Sequence, residues 1–199
     1  AGYIDAVRES RIAGVAFNTF IILEYRADEM LVIDQHAAHE RITYERIMDG
    51  MKAGRVVSQK LIAPHRVRTG RQNMLVAEEK RELIESVGFE FDAIGTDEIA
   101  VRSIPAEISG ENTRDTFVAV LDYLASSDEE DIRLVESEAV YQMACKNSVK
   151  ANTRLSEPEI KSLLAQLTEL ENPYTCPHGR PVILSLSRRE LEKIFKRIV

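Results

Sequence analysis

"MLVIDQHAAHERITYERIMDG", Met30 to Gly50, decides how the chain is read. It opens apolar and β-prone. With the preceding "GVAFNTFIILEY", Gly14 to Tyr25, it reads as a hairpin around the "RADE" at Arg26 to Glu29. From His36 onward the period changes. Ala38, Ile42, Met48 and Met51 hold a helical stripe that Gly54 ends. A strand therefore runs directly into a long helix. Asp34 stands at the junction, a place where functional side chains collect in layered structures.

Beyond this junction the chain changes character. "QNMLVAEEKRELIESVG", Gln72 to Gly88, reads as one charged amphipathic helix stopped by Gly88. "FEFDAIG" and "EIAVRSIP", within Phe89 to Pro105, alternate and read as a second strand pair. "TRDTFVAVLDYLASS" and "LVESEAVYQMACKNSVKAN" are helical, with the acidic "DEED" between them as a turn or helix start. The last third returns to the opening logic. Ser156 and Glu159 form a capping-box pattern with Pro158 in the first turn of the helix "EPEIKSLLAQLTEL". The turn-rich "YTCPHGRP" leads to the strand "VILSLS", and Ser187 with Glu190 caps a final helix, "RRELEKIFKRIV". The fold class is α+β: a sheet-and-helix unit from both termini, 1–57 and 151–199, with a smaller helical and two-stranded unit inserted over 58–150.

Bulk properties narrow the function classes. At 199 residues the chain builds a core without disulfides. No apolar run reaches the roughly 20 residues that cross a bilayer, and no signal-peptide pattern opens the chain, so no membrane partner and a cytoplasmic location are expected. The chain begins on Ala1 rather than methionine and is expected to be part of a longer protein. A formal net charge of −7 argues against strong unaided binding to DNA. There is no Walker-type phosphate loop and no G-x-G-x-x-G after a strand, so no nucleotide site is expected.

His36 and Glu40 are four apart and share one helix face, where an imidazole and a carboxylate can hold one divalent metal. Glu45 lies about a turn and a half further on and reads as a support for the ligands. Cys176 and His178 flank a proline in a loop that Gly179 lets turn tightly. Cys145 adds a second thiol, with Gln142 one turn before it. Each has a plain reading: a solvated helix start, an ordinary turn, a small core residue. Taken together, Asp34, His36, Glu40, Cys145, Cys176 and His178 exceed the four ligands of one closed zinc site. They suit two metals that clamp the attacking and leaving oxygens of a phosphodiester, with Asp34, His36 and Glu40 as the catalytic set. Arg180, beside His178, joins Glu45 and Gln142 as a supporting residue. A metalloprotease reading fits neither zincin order, because His36, His39 and Glu40 read H-x-x-H-E.

These residues carry a resemblance. "DQHAAHERITYE" is similar to the D-Q-H-A-x-x-E-x-x-x-x-E motif of endonuclease-type MutL C-terminal domains, and "ACKNSVKAN", "CPHGRP" and the terminal "FKR" resemble that family's other motifs in the same order. The resemblance spans nearly the whole chain. It implies a mismatch-repair nicking endonuclease, active most readily with manganese and binding zinc at its thiol-containing site. It also implies a homodimer, a smaller regulatory subdomain, a bacterial source with association to the nucleoid when active, and an N-terminal ATPase domain elsewhere in the same protein. "QKLIAP", Gln59 to Pro64, resembles the family's sliding-clamp-binding motif, with Gln59 as a polar hook, Leu61 and Ile62 as an apolar pair and Pro64 as a stop. The other reading of "QKLIAP" is an ordinary edge strand. The other reading of the whole chain is a dimerisation module whose zinc is only structural.

Overall fold

A computed structural model describes residues 3–148 and 153–198. Along the chain run α1 (Tyr3–Glu9), β1 (Arg11–Ala16), β2 (Phe20–Tyr25), β3 (Glu29–Asp34) and α2 (Gln35–Lys52). Then come β4 (Ser58–Arg68), α3 (Gly70–Glu79), α4 (Arg81–Ser86), β5 (Glu90–Ile94), β6 (Glu98–Pro105), α5 (Thr113–Ser126) and α6 (Ile132–Asn147). The chain closes with α7 (Glu157–Leu167), β7 (Ile183–Ser187) and α8 (Arg188–Ile194). The α+β class stands. Contacts divide the chain into two compact units, 1–42 with 148–199, and 43–147. The division falls inside α2 and at the end of α6.

The first unit holds an antiparallel sheet in the order β1-β2-β3-β7. The opening hairpin is thus part of a larger sheet. "RIAGVA" is a strand of its own, and it turns back through Phe17 and Asn18, both left-handed at φ 55 and 48. The Thr19 amide donates to the Ala16 carbonyl at 3.0 Å and closes that two-residue turn. Asn18 was the available signal, since asparagine tolerates this conformation. Period-2 alternation then sorts the sheet's faces. Ile21, Leu23, Leu31, Ile33 and Ile183 are buried, with Ala38, Ile42, Ile160, Leu163 and Leu167 packed in the same core. Ile22, Val32 and Leu184 form a cross-strand row on the opposite face, and Met30 pairs Leu186 beside them. None of these five is buried, and Leu184 is 54% exposed.

The second unit holds a three-stranded antiparallel sheet, β4-β6-β5, with β6 central. Phe117 packs edge-on to Phe89, centroids 5.2 Å apart, and tilted against Phe91 at 5.5 Å. Ile99, Val101, Ile104, Val120, Leu121 and Val140 complete the same core. The helix expected over Gln72–Gly88 is broken at Lys80 into α3 and α4. The break has a packing reason. Met74 and Leu83 are nine residues apart and would face roughly opposite ways on one unbroken helix at ~100° per residue. Re-phasing at Lys80 lets Met74, Ala77, Leu83 and Ile84 all reach the core. α7 also ends at Leu167, three residues before the expected end, and residues 168–170 finish as a turn. Both capping boxes form as read, Ser156 with Glu159 and Ser187 with Glu190.

Candidate active site

β3 delivers Asp34 to the start of α2. Asp34 Oδ1 accepts from the amides of His36 at 2.9 Å and Ala37 at 3.1 Å, so one carboxylate oxygen caps the helix. Gln35 is buried, and its Nε2 donates to the carbonyls of Asn18 at 2.6 Å and Thr153 at 2.9 Å. Three chain segments are thereby pinned at the strand–helix junction. Sequence reasoning gave Gln35 no role.

Glu40 is 0% exposed, on the face of α2 turned to the interior. His36 Nε2 stands 3.2 Å from Glu40 Oε1, the i,i+4 approach expected from their spacing. A carboxylate only accepts, so Nε2 carries the ring hydrogen toward it. Ser148 Oγ stands 3.0 Å from His36 Nδ1 and 3.5 Å from Nε2. Ser148 therefore anchors the ring; it belongs to "ACKNSVKAN", but its role was not read from the sequence. Residues 149–152 of that motif lie outside the described residues. His39, on the next position round the helix, is held below the usual histidine pKa by burial and then by the charge of His36.

"CPHGRP" closes on the same carboxylate. The Cys176 amide donates to the Arg180 carbonyl and the Gly179 amide to the Cys176 carbonyl, both at 2.8 Å. Thr175 bridges Pro181, and Gly179 takes φ 76, a conformation that favours glycine. This tight loop buries Cys176 to 2% exposure and leaves His178 exposed. Its Arg180 reaches Glu40, with Nη2 at 3.0 Å from Oε2 and 3.4 Å from Oε1. The Cys176 side chain and then Glu40 raise the Arg180 pKa, with Asp34 adding a smaller share.

The structure thus gathers Asp34, His36, Glu40, Cys176 and Arg180 in the first unit. Cys145, half-buried on α6, lies in the second unit. So do Glu45, which is buried, and Gln142, whose Nε2 donates to Glu138 at 2.9 Å. Among the described residues, no three His, Cys, Asp or Glu side chains converge closely enough to hold a metal ion.

The "QKLIAP" residues belong to β4, an edge strand. Gln59 pairs Ile104 and its Nε2 donates to the Ile108 carbonyl at 2.9 Å. Leu61 packs on the core of its unit, while Ile62 and Pro64 are exposed. The ladder to β6 is interrupted between Lys60 and His65, so Leu61 to Pro64 bow out of register. The apolar pair is split, one side chain in and one out.

The profile of a family described as the MutL C terminal dimerisation domain matches residues 13–155. The chain belongs to this family. It is similar to the DNA mismatch repair protein MutL of Caldanaerobacter subterraneus subsp. tengcongensis, 38% identical over 195 residues, covering 98% of this chain and 32% of that protein. It is also similar to MutL of Clostridium botulinum strain Kyoto, 35% identical over 196 residues, with 98% and 29% covered. MutL of Thermoanaerobacter pseudethanolicus is 36% identical over 193 residues, with 97% and 31% covered. The chain spans about a third of the length of these relatives. Among its described residues no helix is long and apolar enough to cross a membrane.

Proposed function

We propose that this MutL C-terminal domain forms a homodimer and nicks DNA with a metal held at Glu40 and His36. The observation that carries the nicking is the fully buried Glu40 carboxylate with His36 Nε2 3.2 Å away. A buried carboxylate is costly to keep without a cation. By residue type Asp34 and Glu40 would offer carboxylate oxygens, His36 an imidazole nitrogen and Cys176 a thiol to zinc or manganese, and binding would have to draw them closer than they now stand. Such an ion would supply Lewis acidity at a scissile phosphate. The protein's own part is positional. Asp34 fixes the helix start, Ser148 fixes the imidazole, and Gln35 locks the junction that carries both.

Self-association is supported by the uncovered row of Ile22, Val32 and Leu184 and by the family's description. A sheet with one buried face and one uncovered apolar face suits packing against a second sheet. The net charge of −7 makes the isolated domain a weak DNA binder. Recruitment by a sliding clamp through Ile62 and Pro64 would raise its local concentration on DNA. In the longer protein, an N-terminal ATPase domain would be the other partner.

The experiment is nicking of supercoiled plasmid with manganese by the dimeric domain and by Glu40→Gln, which keeps shape and removes charge. Wild-type nicking that Glu40→Gln abolishes is the expected result. Equal nicking by both proteins would sink the assignment. A second reading, a dimerisation module with structural zinc only, is favoured by Arg180 already occupying Glu40. It predicts zinc in the purified protein and no Glu40-dependent nicking, even with a clamp present.

A further inference from the structure

The inner face of the first sheet is not wholly covered. Between β1, the end of α1 and α7 runs a groove of about 860 Å³. Its lining residues all belong to the first unit, and none of Asp34, His36, Glu40, Cys176 and Arg180 is among them. The floor is apolar: Val7, Ile12, Val15, Ile160, Leu164 and Ala165. β1 is the terminal strand of its sheet, so no strand pairs with its outer edge among the described residues. Gly14 lines the groove and has no side chain, so what it presents there is main chain. The groove thus opens onto an unpaired strand edge. Its other wall is one side of α7 and its C-cap, where Glu157, Lys161, Leu164 and Thr168 recur at helical spacing.

The charge of the lining runs against that of the chain. The chain carries −7, whereas the groove is lined by four cations, Arg8, Arg11, Arg154 and Lys161, and one acid, Glu157. Two of the cations are already matched, Arg11 by Glu24 and Lys161 by Glu157. Arg8 donates only to the neutral Thr168 carbonyl, at 2.9 Å. Arg154 is exposed and has no ion pair or hydrogen bond among the described residues. These two unmatched guanidiniums mark opposite ends of α7, Arg8 at the C-cap and Arg154 just before the N-cap Ser156. α7 has 11 residues, so its ends stand about 16 Å apart. An extended chain covers that distance in about five residues.

We propose that this groove binds an extended peptide segment of a partner protein, apolar in the middle and with a carboxylate at each end. The peptide adds to the β1 edge through its main chain, and its apolar side chains fill the floor. Its carboxylates meet Arg8 and Arg154. Arg8 keeps its bond to Thr168, because a guanidinium has five donors. The bulge between Ile12 and Gly14 keeps the paired stretch short. A nucleic-acid strand suits the groove less well. Single strands are held on aromatic platforms, and no aromatic side chain lines this groove among the described residues.

The probe is the hexapeptide Asp-Ile-Thr-Leu-Ser-Asp, labelled with fluorescein at its amino end and amidated at the other. It is titrated with the intact chain and followed by fluorescence anisotropy. Wild type binds it, and binds the same peptide with Asn at both ends about tenfold more weakly. N-methylation of the peptide amides along one edge weakens binding to a similar degree, which a merely adhesive apolar patch would not show. Arg154→Glu also weakens binding about tenfold. Ala165→Trp sets a bulky ring in the groove from an exposed position and abolishes binding. The peptide variants act on wild-type protein, so the test does not depend on either substitution folding. No binding up to millimolar concentration, equal binding of the Asn-ended or N-methylated peptide, or unaltered binding by folded Arg154→Glu or Ala165→Trp overturns the proposal. Tighter binding of a single-stranded oligonucleotide that displaces the peptide also overturns it and assigns the groove to nucleic acid.

Discussion

The two sheets of this chain solve the same problem differently. In the second unit the apolar residues of β6 and β5 are buried beneath α3, α4, α5 and α6, and the aromatic trio Phe89, Phe91 and Phe117 sits inside. In the first unit one sheet face is buried to the same degree, while the other carries Ile22 and Val32 half-buried and Leu184 54% exposed. The second unit closes its core within one chain. The first spends strand-forming residues on a face that only another surface can cover. What separates them is the character of the other face: in the second sheet it is polar, with Arg66 exposed and Arg102 paired to Asp92, while in the first it carries an apolar row.

That contrast can be broken by substitution. The largest effect is expected for Phe117→Ala, which removes the hinge of the aromatic trio and costs about 3–5 kcal/mol. Chemical denaturation should show the loss in the second unit, while sedimentation in native buffer shows an unchanged dimer. A monomer would mean that association depends on the second core. Leu184→Asp should act the other way. An exposed position tolerates the charge in the monomer, but burying it at an interface weakens association by about 2 kcal/mol or more, roughly 30-fold in Kd. Sedimentation over a concentration series measures this, and an unaltered dimer would move the interface elsewhere.

Smaller effects sharpen the comparison. Ser156→Ala removes one half of the capping box on α7 and should lower stability by about 1 kcal/mol, read as a shift in the first unit's unfolding midpoint. Ile62→Ala, on the bowed edge of β4, should change stability by less than about 0.5 kcal/mol. It should nonetheless weaken clamp binding in a direct titration. Leu61→Ala would instead destabilise the fold, because that side chain packs inward. Clamp binding untouched by Ile62→Ala would leave β4 as an edge strand and nothing more.

The legible parts of the molecule were those with a local cause. The β3–α2 junction, both capping boxes and the 89–105 hairpin follow from period and punctuation within a few residues. The His36–Glu40 approach follows from helical spacing alone. What stayed illegible depends on distant partners. The break at Lys80 is set by a core that needs Leu83 and Met74 on one side. The ring-fixing role of Ser148 requires a residue 112 positions from His36. Arg180 reads from the sequence only as a supporting residue, yet its guanidinium reaches Glu40. No spacing rule connects residues 140 apart.

The pairing of β3 with β7 has a consequence for the order of assembly. Leu31 faces Ser185 and Ile33 faces Ile183, so the first unit's sheet is complete only when the last fifth of this sequence is present. The second unit is contiguous in the chain. During synthesis it can condense while β1, β2 and β3 wait as a three-stranded sheet whose β3 edge is still unpaired. Long-range closure is slow compared with local pairing, and an unpaired edge is a template for other chains. On the ribosome, the most aggregation-exposed moment therefore falls late, in the interval between completion of the inserted unit and arrival of β7. A slow stretch of translation would be harmful just before Ile183 and harmless just before Thr43.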